Sequence, residues 1–251
     1  MEFAFHAEFW LAVVKIIMID ILLGGDNAVV IALACRRLPE KQRFLGILWG
    51  TAGAIVLRVV LIFFALSLLS VPLLKLVGAL LLLWIGIKLL LPEEEDKHGK
   101  LQSSERLWGA VKTVIIADFV MSLDNVIAIA GAAEGAGSEH RMLLVIFGLV
   151  VSIPIIVWGS QLVVKLMDRF PIIITLGGML LGWIAGEMAV TDPFIVGYAA
   201  DHFGLILTSR TVYYTAATIG ALLVLLGGKS LATRAMKKIA ESPAVDSSNL
   251  P

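Results

Sequence analysis

The sequence contains a single cysteine, Cys35, and only four histidines in 251 residues. One cysteine excludes a disulfide within the chain and any metal cage built from several thiolates. The histidines fall in terminal segments or polar breaks, at His6, His98, His140 and His202. The hydrophobic stretches therefore lack the imidazole and thiolate ligands that Zn²⁺ and Cu⁺ prefer.

Charge of one sign is not in excess either, since 20 Lys and Arg residues balance 20 Asp and Glu residues. Without a basic surplus, the composition argues against a nucleic-acid partner. No Walker loop, nucleophile elbow or zinc-protease motif is present, so the sequence predicts neither an ATP-driven pump nor a membrane hydrolase, and no enzyme. The amino terminus lacks the basic region and cleavage site of a signal peptide, and the first helix is expected to direct insertion.

Hydrophobic residues dominate the sequence. They make up 59% of it, and the mean hydropathy is +0.95. They run unbroken for about 20 residues at a time, which is the length that a helix needs to cross ~30 Å of hydrocarbon. These features predict an all-α, polytopic membrane protein in the lipid bilayer. Seven transmembrane helices are predicted, at residues 10–34, 44–68, 72–91, 111–133, 142–164, 171–190 and 211–228.

The Lys and Arg residues between the predicted spans set the orientation, because positively charged loops stay in the cytoplasm. One side has only Arg141 and Arg210 in its loops. An N-terminus outside and a C-terminus in the cytoplasm of a plasma (inner) membrane are therefore predicted. The basic residues on the cytoplasmic side are Arg36, Arg37, Lys41, Arg43, Lys97, Lys100, Arg106, Lys112, Lys165, Arg169, Lys229, Arg234, Lys237 and Lys238.

The chain contains an internal repeat. Residues 16–34 lie over residues 114–132 at a constant offset of 98, which places an Asp-x5-Asp-Asn pattern in the same register in both segments. Chance similarity between apolar helices is the alternative, but it does not readily produce this shared polar pattern. Because each copy holds three spans, the second enters the membrane from the opposite side. The predicted organisation is a first three-helix repeat (1–91), a cytoplasmic loop (92–110), a second, inverted three-helix repeat (111–190), an outer loop (191–210), a seventh helix (211–228) and a cytoplasmic tail (229–251).

The repeated pattern places carboxylates inside hydrocarbon, where an ionisable group costs ~2.5–3.5 kcal/mol before any partner compensates. Carboxylate and amide oxygens suit hard divalent cations, and the residues leave Mn²⁺, Mg²⁺ and Ca²⁺ open. Structural pairing with Arg58 or hydrogen bonding between helices is the alternative role. The candidate metal ligands are Asp20, Asp26, Asn27, Asp118, Asp124 and Asn125.

Further residues near this pattern carry more specific expectations. Arg58 lies deep in the second span, where it is expected to pair with an Asp or with Glu187, and both are possible accessory residues of the site. Local unwinding is predicted at residues 24–27, because glycine tolerates non-helical dihedral angles, with a matching irregularity at 122–125. A stripe of small residues in the sixth span predicts a close-packing seam: Gly177, Gly178, Gly182 and Gly186.

The strings GGDNAVVIA and SLDNVIAIAG, in a chain of seven predicted spans, closely resemble the TerC family of integral membrane proteins, including its YjbE-type branch of metal transport proteins. The resemblance covers all seven predicted spans. It implies handling of divalent metals, chiefly manganese efflux, with a historical link to tellurium resistance. It also implies that the six residues of the two Asp-x5-Asp-Asn patterns are the functional positions.

The functional hypothesis is therefore an exporter of a hard divalent cation, with Mn²⁺ as first candidate and Ca²⁺ or Mg²⁺ as alternatives. The cation is a substrate, and no permanently bound cofactor is expected. Alternating access through a midplane carboxylate site, with exchange against protons, is the expected mechanism. Two other functions stay open: an exporter of amino acids or other small solutes, and a non-transporting scaffold for the assembly or metallation of other proteins.

Overall fold

The structure is a computed structural model. It describes residues 25–69, 71–91, 103–133, 141–203 and 209–241, and the positions 14, 17, 18 and 207. Asp20, most of the cytoplasmic loop and the end of the tail lie outside the described residues. The backbone of 124–133 is described but the side chains there are not, so those of Asp124 and Asn125 also lie outside the description.

The described part of the chain is helical and contains no strand, which confirms the predicted all-α class. Each predicted span overlaps one helix. The segment 191–210, predicted as an outer loop, contains a short helix of its own. The helices are α1 (Gly25–Cys35), α2 (Glu40–Leu69), α3 (Leu74–Leu90), α4 (Ser103–Ala133), α5 (Arg141–Arg169), α6 (Ile172–Val190), α7 (Pro193–Phe203) and α8 (Arg210–Glu241).

The outward surface fits a hydrocarbon environment. Among the described residues, α2, α5, α6 and α8 are long and apolar enough to cross a membrane. Large apolar side chains lie exposed along these helices, with Phe63 71% exposed and Trp158 68% exposed. A water-soluble protein does not leave so much contiguous apolar surface uncovered. The chain is thus a multi-pass membrane protein, while the count of seven spans and the inverted repeat stay predictions.

Two buried apolar clusters hold the helices together, and α1 and α4 contribute to both. In the first cluster, Leu33 and Val114 pack with residues of α2 and α5. In the second, Val30 and Val120 pack with residues of α3 and α6. The two helices that carry the Asp-x5-Asp-Asn patterns are therefore the central elements of the described fold.

The helices α2 and α4 run parallel and approach closely. A methyl group added at Gly50 would lie 3.0 Å from the Val114 side chain, and one at Gly53 would lie 2.7 Å from Ile115. One and two turns further along, Ala54 and Arg58 repeat the spacing of four residues that brings side chains to one face of a helix. The small residues thus bring the Arg58 face of α2 against α4.

The predicted small-residue seam is confirmed by the contacts of α6. A methyl group at Gly182 would collide with the carbonyl oxygen of Gly220 in α8, and one at Gly186 would collide with the carbonyl oxygen of Ala216. Because the residue number rises on α6 as it falls on α8, the two helices are antiparallel. Backbones can approach this closely only where side chains are absent.

Candidate functional site

A buried ion pair joins α2 to α4. The Arg58 Nη2 lies 2.6 Å from Asp118 Oδ1, and the two residues are 3% and 5% exposed. Ser122 bridges them, because Arg58 Nε donates a hydrogen bond to its Oγ at 3.1 Å and that hydroxyl donates to Asp118 Oδ2 at 3.0 Å. Both oxygens of Asp118 are therefore engaged by this arrangement.

The local sequence explains why these groups meet. Asp118 and Ser122 are four residues apart on α4 and so lie on the same helical face. Arg58 is fixed opposite them by the close packing at Gly50 and Gly53. A guanidinium group stays charged at any physiological pH, so a carboxylate is the partner that balances its charge inside the protein.

Asp26 and Asn27 lie in the first turn of α1. The Asp26 carboxyl group is within electrostatic range of both Arg58 and Asp118. Asp26 Oδ1 also accepts a hydrogen bond from the Asn27 backbone N–H at 2.8 Å. The structure thus brings the second aspartate of the first pattern near the first aspartate of the second pattern.

The side-chain amide of Asn27 is buried without a hydrogen-bond partner. The residue is 4% exposed, and neither its Oδ1 nor its Nδ2 is paired within the described part of the chain. Leaving such a group unpaired costs ~1–3 kcal/mol, and buried polar groups are rarely left so. An unpaired amide oxygen next to the carboxylate residue Asp26 in the chain can act as a ligand for a cation.

The remaining candidate ligands are not placed together by what the structure describes. Asp20 and the side chains of Asp124 and Asn125 lie outside the description. Among the described residues, no three or more His, Cys, Asp or Glu side chains form a cluster that could hold a metal ion. The described part of the site therefore consists of two carboxylates, the Asn27 amide, the Ser122 hydroxyl and the Arg58 guanidinium.

The irregularity predicted at residues 122–125 is wrong. The backbone there is continuous α-helix within α4 (Ser103–Ala133). Residues 25–27 are likewise helical, and Gly24 lies outside the described residues. Ser122 and Leu123 have ordinary helical propensity, so nothing in this part of α4 favours a break. Within the described residues, the site is built from side chains projecting from intact helix.

Glu187, the other possible accessory residue, has different neighbours from Arg58. Its carboxylate accepts a hydrogen bond from Trp183 Nε1, one turn earlier on α6, at 2.5 Å. The Trp183 ring in turn contacts Tyr214 of α8, with ring centroids 6.2 Å apart. Glu187 thus belongs to the α6–α8 side of the molecule in the contacts described.

Asp192 is a buried carboxylate that the sequence reasoning missed. It is fully buried, and its Oδ1 accepts hydrogen bonds from the backbone N–H groups of Phe194 and Ile195 at the start of α7. Its Oδ2 accepts from Lys75 and Leu76 at the start of α3. The Asp-Pro pair at the start of α7 is a recognisable helix-start signal, and it indicates that Asp192 caps α7. Nothing in the neighbouring sequence indicates that Asp192 also caps α3.

The described fold and site define a class: a multi-pass, all-α membrane protein with charged residues buried between its central helices. A family comparison then gives the particular group. The model of the integral membrane protein TerC family matches residues 5–238, and the chain belongs to this family.

Several relatives carry related sequences. The chain is 43% identical over 195 residues to the uncharacterized membrane protein YjbE of Bacillus subtilis (strain 168), covering 78% of this chain and 86% of that protein. It is 27% identical to the uncharacterized membrane protein YkoY of the same organism, covering 76% and 63%. It is 25% identical to the UPF0053 inner membrane protein YoaE of Escherichia coli (strain K12), covering 91% of this chain and 50% of that protein. No solved structure matches the chain.

Proposed function

We propose that the protein is a transporter, not an enzyme, that moves a hard divalent cation across the plasma membrane by alternating access. Mn²⁺ is the first candidate, with Mg²⁺ and Ca²⁺ as alternatives. The observation that supports this proposal most directly is the presence of Asp26 on α1 within electrostatic range of the buried Asp118 on α4, together with the unpaired amide of Asn27 next to Asp26 in the chain. Oxygen ligands of this kind suit hard cations rather than Zn²⁺ or Cu⁺.

Burial of these carboxylates supports a transport role over a purely structural one. Ionisable residues within membrane helices are unfavourable and mark ion pathways in many membrane proteins. A structural ion pair needs only Arg58 and Asp118, whereas this site also contains Asp26 and an unsatisfied Asn27. By the sequence repeat, we assign Asp20, Asp124 and Asn125 to the same pathway.

Export, with the N-terminus outside, and exchange against protons complete the proposal. The Arg58 guanidinium would be the natural receptor for the carboxylate of an amino acid in the competing exporter hypothesis, but it is bonded to Asp118. A scaffold without transport activity would not require an ion site at this depth. The same flux measurement separates all three functions.

The test is a measurement of Mn²⁺ flux into proteoliposomes, in which the entering metal quenches the fluorescence of an enclosed dye. We expect saturable flux in the wild type that responds to an imposed pH gradient, and a decrease of at least about tenfold in Asp26→Asn and Asp124→Asn, the order of effect seen when groups around a metal site are removed. Asp201→Asn is the matched control, because this exposed residue of α7 lies outside the site.

Competition by Mg²⁺ and Ca²⁺ and flux of labelled amino acids are measured in the same vesicles. Membrane insertion of each variant is checked by size-exclusion chromatography. Wild-type Mn²⁺ flux in both aspartate variants would remove these residues from the mechanism. Flux of amino acids without Mn²⁺ flux would replace the proposal by the solute exporter, and no flux at all would favour the scaffold.

A further inference from the structure

The buried ion pair occupies the very carboxylate that a transported cation would need. Asp118 receives Arg58 on Oδ1 and the Ser122 hydroxyl on Oδ2. Ser122 also accepts from Arg58 Nε, so that guanidinium and hydroxyl form one connected arrangement around the carboxylate. A metal ion bound to a carboxylate oxygen lies about 2.0–2.6 Å from it, no farther than the guanidinium nitrogen at 2.6 Å.

Arg58 and a divalent cation cannot share Asp118 in this geometry. Both carry positive charge, and Arg58 and Asp118 are almost fully buried, so the repulsion between the two cations is weakly screened. Arginine cannot escape by losing its proton, because its pKa lies far above any physiological pH. Binding of a metal at Asp118 therefore requires the guanidinium to move away.

We propose that Arg58 is a tethered cation that occupies Asp118 when the transport site is empty and is displaced when a divalent metal binds. This inference rests on the proposed transport function. Arg58 lowers the affinity of the site for metal and keeps Asp118 paired after the metal has left. It is thus a residue that sets the affinity of the site rather than a metal ligand.

The two halves of the sequence differ at the positions that matter. At the offset of 98 residues, Asp118 corresponds to Asp20, but Arg58 corresponds to Ile156 and Ser122 corresponds to Gly24. Ile156 lies in the apolar cluster with residues of α1, α2 and α4 and has no charge to offer. The position equivalent to Arg58 therefore supplies no cation, and the arrangement around Asp118 has no counterpart through Ile156.

Asn27 is the neighbouring group that a bound metal would satisfy. Its amide oxygen is unpaired in the described structure, while every oxygen of Asp118 is engaged. Entry of a cation would give the Asn27 amide oxygen a partner and release Asp118 from Arg58 in one step.

The test is direct Mn²⁺ binding, measured by isothermal titration calorimetry on the full chain in nanodiscs. We expect Arg58→Gln to bind Mn²⁺ at least tenfold more tightly than the wild type, because the competing charge is gone. Ser122→Ala retains both charges but removes the bridge, and we expect it to bind about threefold more tightly, which is about half of the free-energy change that a tenfold difference represents. Arg43→Gln is the matched control on the same helix, because Arg43 pairs with the exposed Asp168.

Unchanged or weaker Mn²⁺ binding in Ser122→Ala would overturn the inference, since a metal ligand or a merely structural hydroxyl would give that result. If Arg58→Gln does not fold, the Ser122→Ala result decides by itself, because this variant leaves no buried charge unpaired. Wild-type protein that binds Mn²⁺ with an affinity equal to that of Ser122→Ala refutes the tethered cation alone. Wild-type protein that neither binds nor transports Mn²⁺ refutes the proposed function and this inference together.

Discussion

The two buried aspartates Asp118 and Asp192 are satisfied in opposite ways. Asp118 is paired with a side-chain cation and a hydroxyl, which the proposal above has a divalent cation displace. Asp192 accepts four backbone N–H groups from the first turns of α3 and α7. Those donors are fixed by the helices themselves, so Asp192 is a structural residue. Chemistry alone does not separate the two carboxylates, whereas their partners do.

Removal of the Asp192 carboxylate should destabilise the protein. Asp192→Ala leaves the amino-terminal N–H groups of two helices without their cap, and one cap is worth ~0.5–2 kcal/mol. We expect a loss of about 1–4 kcal/mol in stability, seen as a lower midpoint of thermal unfolding in detergent. Asp201→Ala, which removes an exposed carboxylate from α7, serves as the control and should leave the midpoint unchanged. An unchanged midpoint in Asp192→Ala would show that the two caps contribute little.

At this scale, the sequence singled out Asp26, Asn27 and Asp118 because carboxylates are conspicuous in hydrophobic stretches. It also indicated that Arg58 would pair with an acidic residue. Ser122 was noticed only as a place for an irregularity, and its role as a bridge depends on the position of α2. Which of the possible acids Arg58 meets could not be read from the chain, because the two residues are 60 positions apart.

Helix α4 is the element whose behaviour differs most from expectation. A break was predicted near Asp124, because carboxylates separated by six residues do not share a face of a regular helix. The described backbone is unbroken from Ser103 to Ala133. Asp118 instead finds its neighbours on α1 and α2, so the two aspartates of one pattern need not converge. Contacts between the two Asp-x5-Asp-Asn patterns therefore take the place of a helix distortion within one pattern.

The seam between α6 and α8 gives a prediction at the scale of elements. A methyl group at Gly220 would collide with the carbonyl oxygen of Gly182, so Gly220→Ala must push the two helices apart. Overpacking of this kind costs ~1–3 kcal/mol, and we expect the midpoint of thermal unfolding to fall accordingly. The measurement is thermal unfolding of the purified protein in detergent.

Gly159→Ala in α5 is the matched control for that substitution. A methyl group there would meet no atom within 4 Å. Alanine has higher helix propensity than glycine by up to ~1 kcal/mol, so this variant should be as stable as the wild type or slightly more stable. Equal destabilisation by both substitutions would mean that the loss arises from the helix backbone rather than from the seam.

The helix α7 shows what the hydropathy pattern overlooks. Residues 191–210 were predicted as a loop because they interrupt the hydrophobic stretches. Pro193–Phe203 is nevertheless helical, with Asp192 at its start and proline in its first position. Asp and Pro at these positions favour a helix start, so the local sequence contains a signal for α7 that the hydropathy pattern does not report.

The whole molecule has an apolar exterior and a buried ion pair, which is the reverse of a water-soluble protein. Pairwise directions of the helices agree with alternate crossings of a membrane: α2 runs parallel to α4, while α8 runs antiparallel to α6. At one end, Arg36 donates to the carbonyl of Leu89 at the close of α3, and Arg43 pairs with Asp168 of α5. The basic residues predicted to face the cytoplasm thus also stabilise helix ends.

The orientation of the whole molecule can be tested with single cysteines at two positions. We expect Gly137→Cys to react with an impermeant maleimide added outside intact cells, and His98→Cys to react only after the cells are opened, because positively charged loops stay inside. The native Cys35 is fully buried and should give little background labelling. The unmodified protein is the control. Reaction of position 98 from outside, without reaction of position 137, would reverse the assigned orientation.

The sequence by itself determined the membrane class, the helical class, the family and the acidic pattern, because hydrophobic run length, charge placement and short motifs are properties of neighbouring residues. Only the tertiary structure decided that Asp118 meets Arg58, that Asp26 of the other pattern lies within electrostatic range of both, and that Asp192 joins α3 to α7. These contacts link residues about 30 to 120 positions apart. They depend on how helices pack against one another, which local periodicity does not encode.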